Sequence, residues 1–84
     1  MARMTIATPQ APQPIGPYVQ GIRAGDLLFL SGQLPLDPLT GSLVRSGIRA
    51  QTRRVLDNLK AVLEAAGATL AHIVRLTLYV KTLD

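Results

Sequence analysis

The sequence predicts an α+β domain in which one helix lies against a small sheet. Three observations carry that prediction. Thr52, Val55, Leu56, Leu59, Val62, Leu63 and Ala66 step by threes and fours and form one apolar stripe. Two apolar runs, 18–22 and 27–31, flank a Gly-Asp reversal. Val74, Leu76, Leu78 and Val80 alternate with Arg75, Thr77, Tyr79 and Lys81, the period of a strand with one buried face. With 84 residues there is room for a single domain spanning 1–84.

In chain order, Met4 to Thr8 suits a short strand that ends at Pro9. The segment Ala11-Pro12-Gln13-Pro14 must then run extended, because each proline disfavours helix in the residue before it. Gly16-Pro17 marks a turn into Tyr18, and Arg23-Ala24-Gly25-Asp26 joins the two arms of an antiparallel hairpin. Leu27-Leu28-Phe29-Leu30 is apolar at consecutive positions, which predicts a strand covered on both faces. Residues 32–45 hold Pro35, Asp37-Pro38 and Thr40-Gly41, a structured loop with a brief extended piece at 42–44. Ser46 or Gly47 caps the helix and Gly67 stops it, while Arg49, Arg53, Asp57, Lys60 and Glu64 form its polar face. Thr69 to His72 makes a short capped turn before the strand Val74–Val80. One helix covers only two or three strands, and the sequence stops just after a strand, so we expect a truncated domain lacking further elements.

Composition narrows the chemistry. A hydrophobic fraction of 48% indicates a folded chain rather than a disordered one. The absence of Cys removes disulfides, thiolate metal sites and cysteine nucleophiles, and a single His cannot build a histidine metal site. No apolar run reaches the ~18–20 residues of a membrane span. Polar residues and prolines interrupt the stretch behind Arg3, which is not the pattern of a secretory signal, so a cytoplasmic protein with no membrane partner is expected. Nine Lys and Arg against five Asp and Glu, with Arg45, Arg49 and Arg53 at helical spacing, form a basic face. Asp57 and Glu64 share that face and aromatics for base stacking are scarce, which argues against nucleic acid as the partner. His72 has no neighbouring carboxylate to make it a general base, and neither a nucleophile elbow nor a phosphate-binding loop occurs. Ser31-Gly32 at the end of an apolar strand can present a hydroxyl and a backbone N–H, and Tyr18 after Gly-Pro can wall a pocket; from the residues alone, ordinary turn and packing outweigh both.

Taken in order, several stretches resemble one family. They are Ala11-Pro12, Ile15-Gly16-Pro17-Tyr18 with Gln20, Leu30-Ser31-Gly32-Gln33, Pro35-Leu36-Asp37-Pro38, Thr40-Gly41, and the helix from Gln51-Thr52-Arg53 through Asn58-Leu59-Lys60-Ala61-Val62-Leu63 to Ala66-Gly67. The set resembles the reactive intermediate deaminase family, also called RidA or YjgF-like, over nearly all of residues 5–84. The resemblance implies a chorismate-mutase-like sheet with helices on one face, assembled as a homotrimer with clefts between subunits. It implies hydrolysis of enamines and imines such as 2-aminoacrylate to 2-ketoacids and ammonia, without metal or organic cofactor. Carried over by position, the substrate-binding residues are Tyr18, Ser31 and Gly32, with the Gly32 N–H beside the substrate carboxylate. Val19 stands where the family usually has Ser, and Gly21 where it usually has Ala. The family's Asn, carboxylate-clamping Arg and C-terminal Glu fall beyond residue 84, so no catalytic residue is assignable, and the 84-residue chain alone is expected to be inactive. The alternatives are a non-enzymatic trimeric small-molecule-binding or regulatory protein of the same fold and, third, an RNA-cleaving relative.

The apolar surface left over by one helix predicts self-association or marginal folding. Sedimentation of the purified chain should show species larger than a monomer. A single monomeric boundary together with a cooperative thermal transition would exclude this.

Overall fold

The computed structural model describes residues 3–16 and 18–79. Its elements are β1 (Arg3–Ile6), β2 (Gly21–Ala24), β3 (Leu27–Leu30), the helix α1 (Ile48–Ala65) and one 3-10 turn, Leu70–His72. The strands form an antiparallel sheet in the order β1-β2-β3. This is the α+β class expected from the sequence, with the helix on one face.

The β2–β3 hairpin is tighter than the sequence suggested, since Ala24 pairs with Leu27 and only Gly25 and Asp26 make the turn. Gly25 has φ of 61° and no non-glycine residue among those described has a positive φ, the pattern of a type II′ turn. Pairing continues one step past β3, where the Ser31 N–H donates to the Gln20 carbonyl at 3.0 Å. The brief extended piece expected at 42–44 is an isolated bridge between Leu36 and Leu43.

Register decides which residues face the helix. Ile6, Gly21 and Leu30 lie in one row across the sheet, and Met4, Arg23 and Leu28 in the next. Ile6, Ala11 and Val62 form the buried centre, with Leu28, Leu30, Ala61 and Ala66 packed around it. Val62 is fully buried, and a Cβ placed on Gly21 would lie 3.3 Å from its Cγ1. The glycine in the middle of the row thus makes the slot into which the helix packs. Leu59 and Leu63 complete the buried stripe, whereas Val55 is half-buried and Leu56 is exposed.

Both ends of α1 follow from local chemistry. Gly47 is its N-cap, with φ of 94° and no side-chain cap. At the other end the Gly67 N–H donates to the Glu64 carbonyl, and the Ala68 N–H to that of Leu63 at 2.8 Å. With Gly67 at φ of 81° this is a Schellman motif. The last turn has no basic residue of its own. Arg23 reaches across from β2 and donates to the Ala66 carbonyl, placing a cation at the negative end of the helix dipole.

Two expectations are corrected. Residues 73–79 make no strand; Val74 is 95% exposed and Leu76 and Leu78 more than half. Val80 lies outside the described residues. Alternation selects a buried face only when a neighbouring strand supplies hydrogen-bond partners, and none of the described strands lies alongside. For the same reason β3 is covered on one face only, with Leu27 and Phe29 about 60% exposed.

Gly21→Ala should destabilise the fold by about 1 kcal/mol through overpacking, and Val62→Ala by about 1.5–3 kcal/mol through lost burial. Urea denaturation of the double variant should show less than the sum, because each change makes room for the other.

Candidate functional site

The segment between β1 and β2 and the segment after β3 face each other across a shallow groove of about 30 Å³, and Tyr18 and Gly32 line it from opposite sides. Pro12 to Ile15 form the first wall with Tyr18, and Gly32, Gln33, Leu34 and Leu36 the second. Neither wall is part of a strand or helix, so each must be held by other means.

Tyr18 is half-exposed. Its backbone N–H donates to the Gly16 carbonyl at 3.0 Å and its hydroxyl accepts the Ile15 N–H at 3.4 Å, which holds the ring along the wall. Gly16 has φ of 110°, a conformation open to glycine, which turns the chain into Tyr18. Gly32 is exposed, with open space where a side chain would project. Its N–H takes part in no hydrogen bond among the described residues. A small anion can reach such a donor, and an unpaired amide at a strand end suits a carboxylate.

Ser31 is placed differently. Its hydroxyl donates to the Val19 carbonyl, so its proton is spent on closing the end of the hairpin. It lines the larger recess described below, as Gly32 also does, and not the groove. Tyr18 and Gly32 thus share the groove, while Ser31 and Gly32 share the larger recess on the other side of the strand end.

The remaining candidates have structural duties or none. His72 Nδ1 accepts the Thr69 N–H at 3.0 Å within the capped 3-10 turn. Arg45, Arg49 and Arg53 are exposed together with Asp57, Lys60 and Glu64. No group of three or more His, Asp or Glu side chains gathers among the described residues in a way that would hold a metal ion, and no described helix is long and apolar enough to cross a membrane. A much larger recess, of about 1260 Å³, lies between β3, the helix and residues 72–79. It is rimmed by Leu27, Phe29, Leu56 and Leu76, the uncovered apolar face of the sheet and helix, and it reaches Ser31 and Gly32 at the strand end.

Two residues beneath the groove were not singled out from the sequence for any role there. Gln20 is 2% exposed and Asn58 fully buried. A signal for Asn58 exists in retrospect, since 55, 58, 59 and 62 trace the apolar stripe and a polar residue on it must be bonded inside the fold.

Comparison with known proteins extends this picture. A family model described as Endoribonuclease L-PSP matches residues 8–84. A RutC family protein of Pyrococcus abyssi is 50% identical over 84 residues, covering all of this chain and 66% of that protein. The 2-iminobutanoate/2-iminopropanoate deaminase of Escherichia coli is 50% identical over 80 residues, 95% of this chain and 62% of the enzyme. Among solved structures, YyfA of Yersinia pestis, a protein of unknown function of the conserved Rid family, superimposes with a TM-score of 0.79 at 49% identity. That match covers 82% of this chain and 55% of the other. The chain thus spans less than two thirds of the length of these relatives.

Proposed function

Because the chain belongs to the Endoribonuclease L-PSP family, the RutC and RidA group, we propose that it is part of an enamine/imine deaminase. In this reading the whole protein hydrolyses 2-aminoacrylate-type intermediates to 2-ketoacids and ammonia. The observation that carries the proposal is the 50% identity to a deaminase over 95% of the chain. The substrate is a small imino or enamine acid, and the assembly is a homotrimer whose neighbouring subunits complete the clefts.

The reaction is chemically simple. The enamine tautomerises to the imine, water adds to the C=N carbon, and the resulting carbinolamine expels ammonia to leave the ketoacid. Atoms balance with water alone. What the protein must add is a grip on the carboxylate and a dry wall beside the imine, since holding the reactants in register removes much of the entropic barrier. The Gly32 N–H, which has no hydrogen-bond partner among the described residues, supports the first role and the Tyr18 ring the second. Ser31 contributes through the strand end that it closes, because its proton already rests on Val19.

One observation favours a second reading. The family description names an endoribonuclease, and Arg49 and Arg53 are exposed one turn apart on α1, with Arg45 exposed just before it. RNA cleavage is therefore the arm to run beside the deaminase assay. The test joins this chain to the C-terminal residues of the Escherichia coli deaminase. The enamine is generated in situ with a pyridoxal-phosphate dehydratase and ketoacid release is followed. Release well above the spontaneous rate supports the proposal; RNA cleavage with no such acceleration overturns it.

In the same protein Gly32→Pro should abolish 2-ketobutyrate binding in titration calorimetry, because it deletes the donor and distorts the strand end. Ser31→Ala should weaken binding by no more than about 0.5–1.5 kcal/mol, the net size of one neutral hydrogen bond. Unchanged affinity in both variants would move the binding site elsewhere.

A further inference from the structure

We infer that Gln20 and Asn58 are positioning residues that set the distance between the two walls of the Tyr18–Gly32 groove. The inference rests on the reading of that groove as the substrate site, and its argument begins with burial. A carboxamide out of water must have its donors and acceptor satisfied, or it costs more than it contributes. Each of these two is satisfied almost entirely by main-chain groups of one wall.

The Gln20 Nε2 amide faces three carbonyls, those of Thr8 at 3.0 Å, Ala11 at 3.2 Å and Pro12 at 2.9 Å. Its Oε1 accepts the Thr8 N–H at 2.6 Å. Prolines at 9, 12 and 14 deny this wall a regular ladder of its own, so side chains organise it, and Gln20 at the foot of β2 is the buried one that ties 8–12 to the sheet. The Asn58 Nδ2 amide donates to the carbonyls of Leu34 at 3.1 Å and Leu36 at 3.0 Å. Its Oδ1 accepts from Arg54 Nε at 3.1 Å, which sets the orientation of the amide. Among the described residues these are the bonds that tie 32–36 to the helix.

The two anchors share one reference point. Gln20 is next in sequence to Gly21, and Asn58 lies one helical turn before Val62, the residue packed over the Cβ position that Gly21 leaves empty. The first wall is therefore measured from the sheet, the second from the helix, and the sheet–helix contact joins the two scales. Gln20 borders the groove while only 2% exposed and Asn58 does not line it, and both act on where Tyr18 and Gly32 stand.

The test has a structural arm and a kinetic arm. In two-dimensional ¹⁵N–¹H spectra of the extended protein described above, Asn58→Leu should move the amide signals of 32–36 and leave those of β1 and β2 in place. Gln20→Glu, which keeps the acceptor and loses the donors, should move those of 8–15. Shifts confined to the substituted residue's own turn, or spread evenly over the chain, would overturn the inference. Arg54→Met covers the case in which Asn58→Leu does not fold, because it frees the amide to rotate without emptying the core. It should move 32–36 in the same sense by a smaller amount, and no movement there would count against the inference. In the extended protein described above, each carboxamide variant should raise KM about tenfold with kcat held within about twofold, as expected for a displaced grip. Equal losses in kcat with KM unchanged would overturn it. If the unsubstituted protein shows no deaminase activity, the proposed reaction fails and the spectra alone decide the positioning role.

Discussion

The structure depends on one close approach, that of Val62 to the backbone of Gly21. A helix can come this near a sheet only where a residue lacks a side chain, and the row Ile6–Gly21–Leu30 provides that gap between two large aliphatics. Once Val62 is seated, Leu59 and Leu63 are carried inward on the same face and Ala11 is closed over from the side. A packed interior has no slack to move this contact without moving the others, because its density is that of an organic crystal. The small core is therefore specific out of proportion to its size.

Polar groups then hold what packing alone leaves loose. Arg23 joins the sheet to the helix C-terminus, and Gln20 and Asn58 join the irregular segments to the two regular layers. No buried side-chain nitrogen or oxygen among the described residues lacks a partner. Complete satisfaction matters more than the number of bonds, since a typical bond adds roughly 1 kcal/mol net while a buried group left unpaired costs ~1–3 kcal/mol. It also explains how a chain with six prolines and seven glycines keeps a defined groove between segments that have no ladder of their own.

The opposite side of the molecule shows the limit of one helix on three strands. Leu27 and Phe29 face outward from β3, Leu56 leaves the buried stripe, and Val74, Leu76 and Leu78 lie open across the recess from them. These are the positions with the clearest apolar patterning outside the core. A strand needs a partner for its backbone before its side-chain alternation has an effect, so the pattern at 74–78 marks a surface rather than an element in this chain.

Much of the fold was legible in the sequence because it depends on local rules. The helix stripe, the Gly67 stop, the Thr69–His72 turn and the Gly-Asp hairpin each follow from residues a few positions apart. Ordered motifs from Ala11 to Gly67 were likewise enough to point to the family. Register and depth were not legible, because they depend on contacts between residues far apart in sequence. Nothing local says that Gly21 faces Val62, that Ser31 spends its proton on Val19, or that Asn58 reaches back 24 residues to Leu34. The sequence by itself determined which segments are helix, hairpin and turn, since propensity and periodicity act over a single turn or pleat. Only the tertiary structure decided which polar side chains are buried and what they hold, since burial belongs to the assembled layers and to no residue alone.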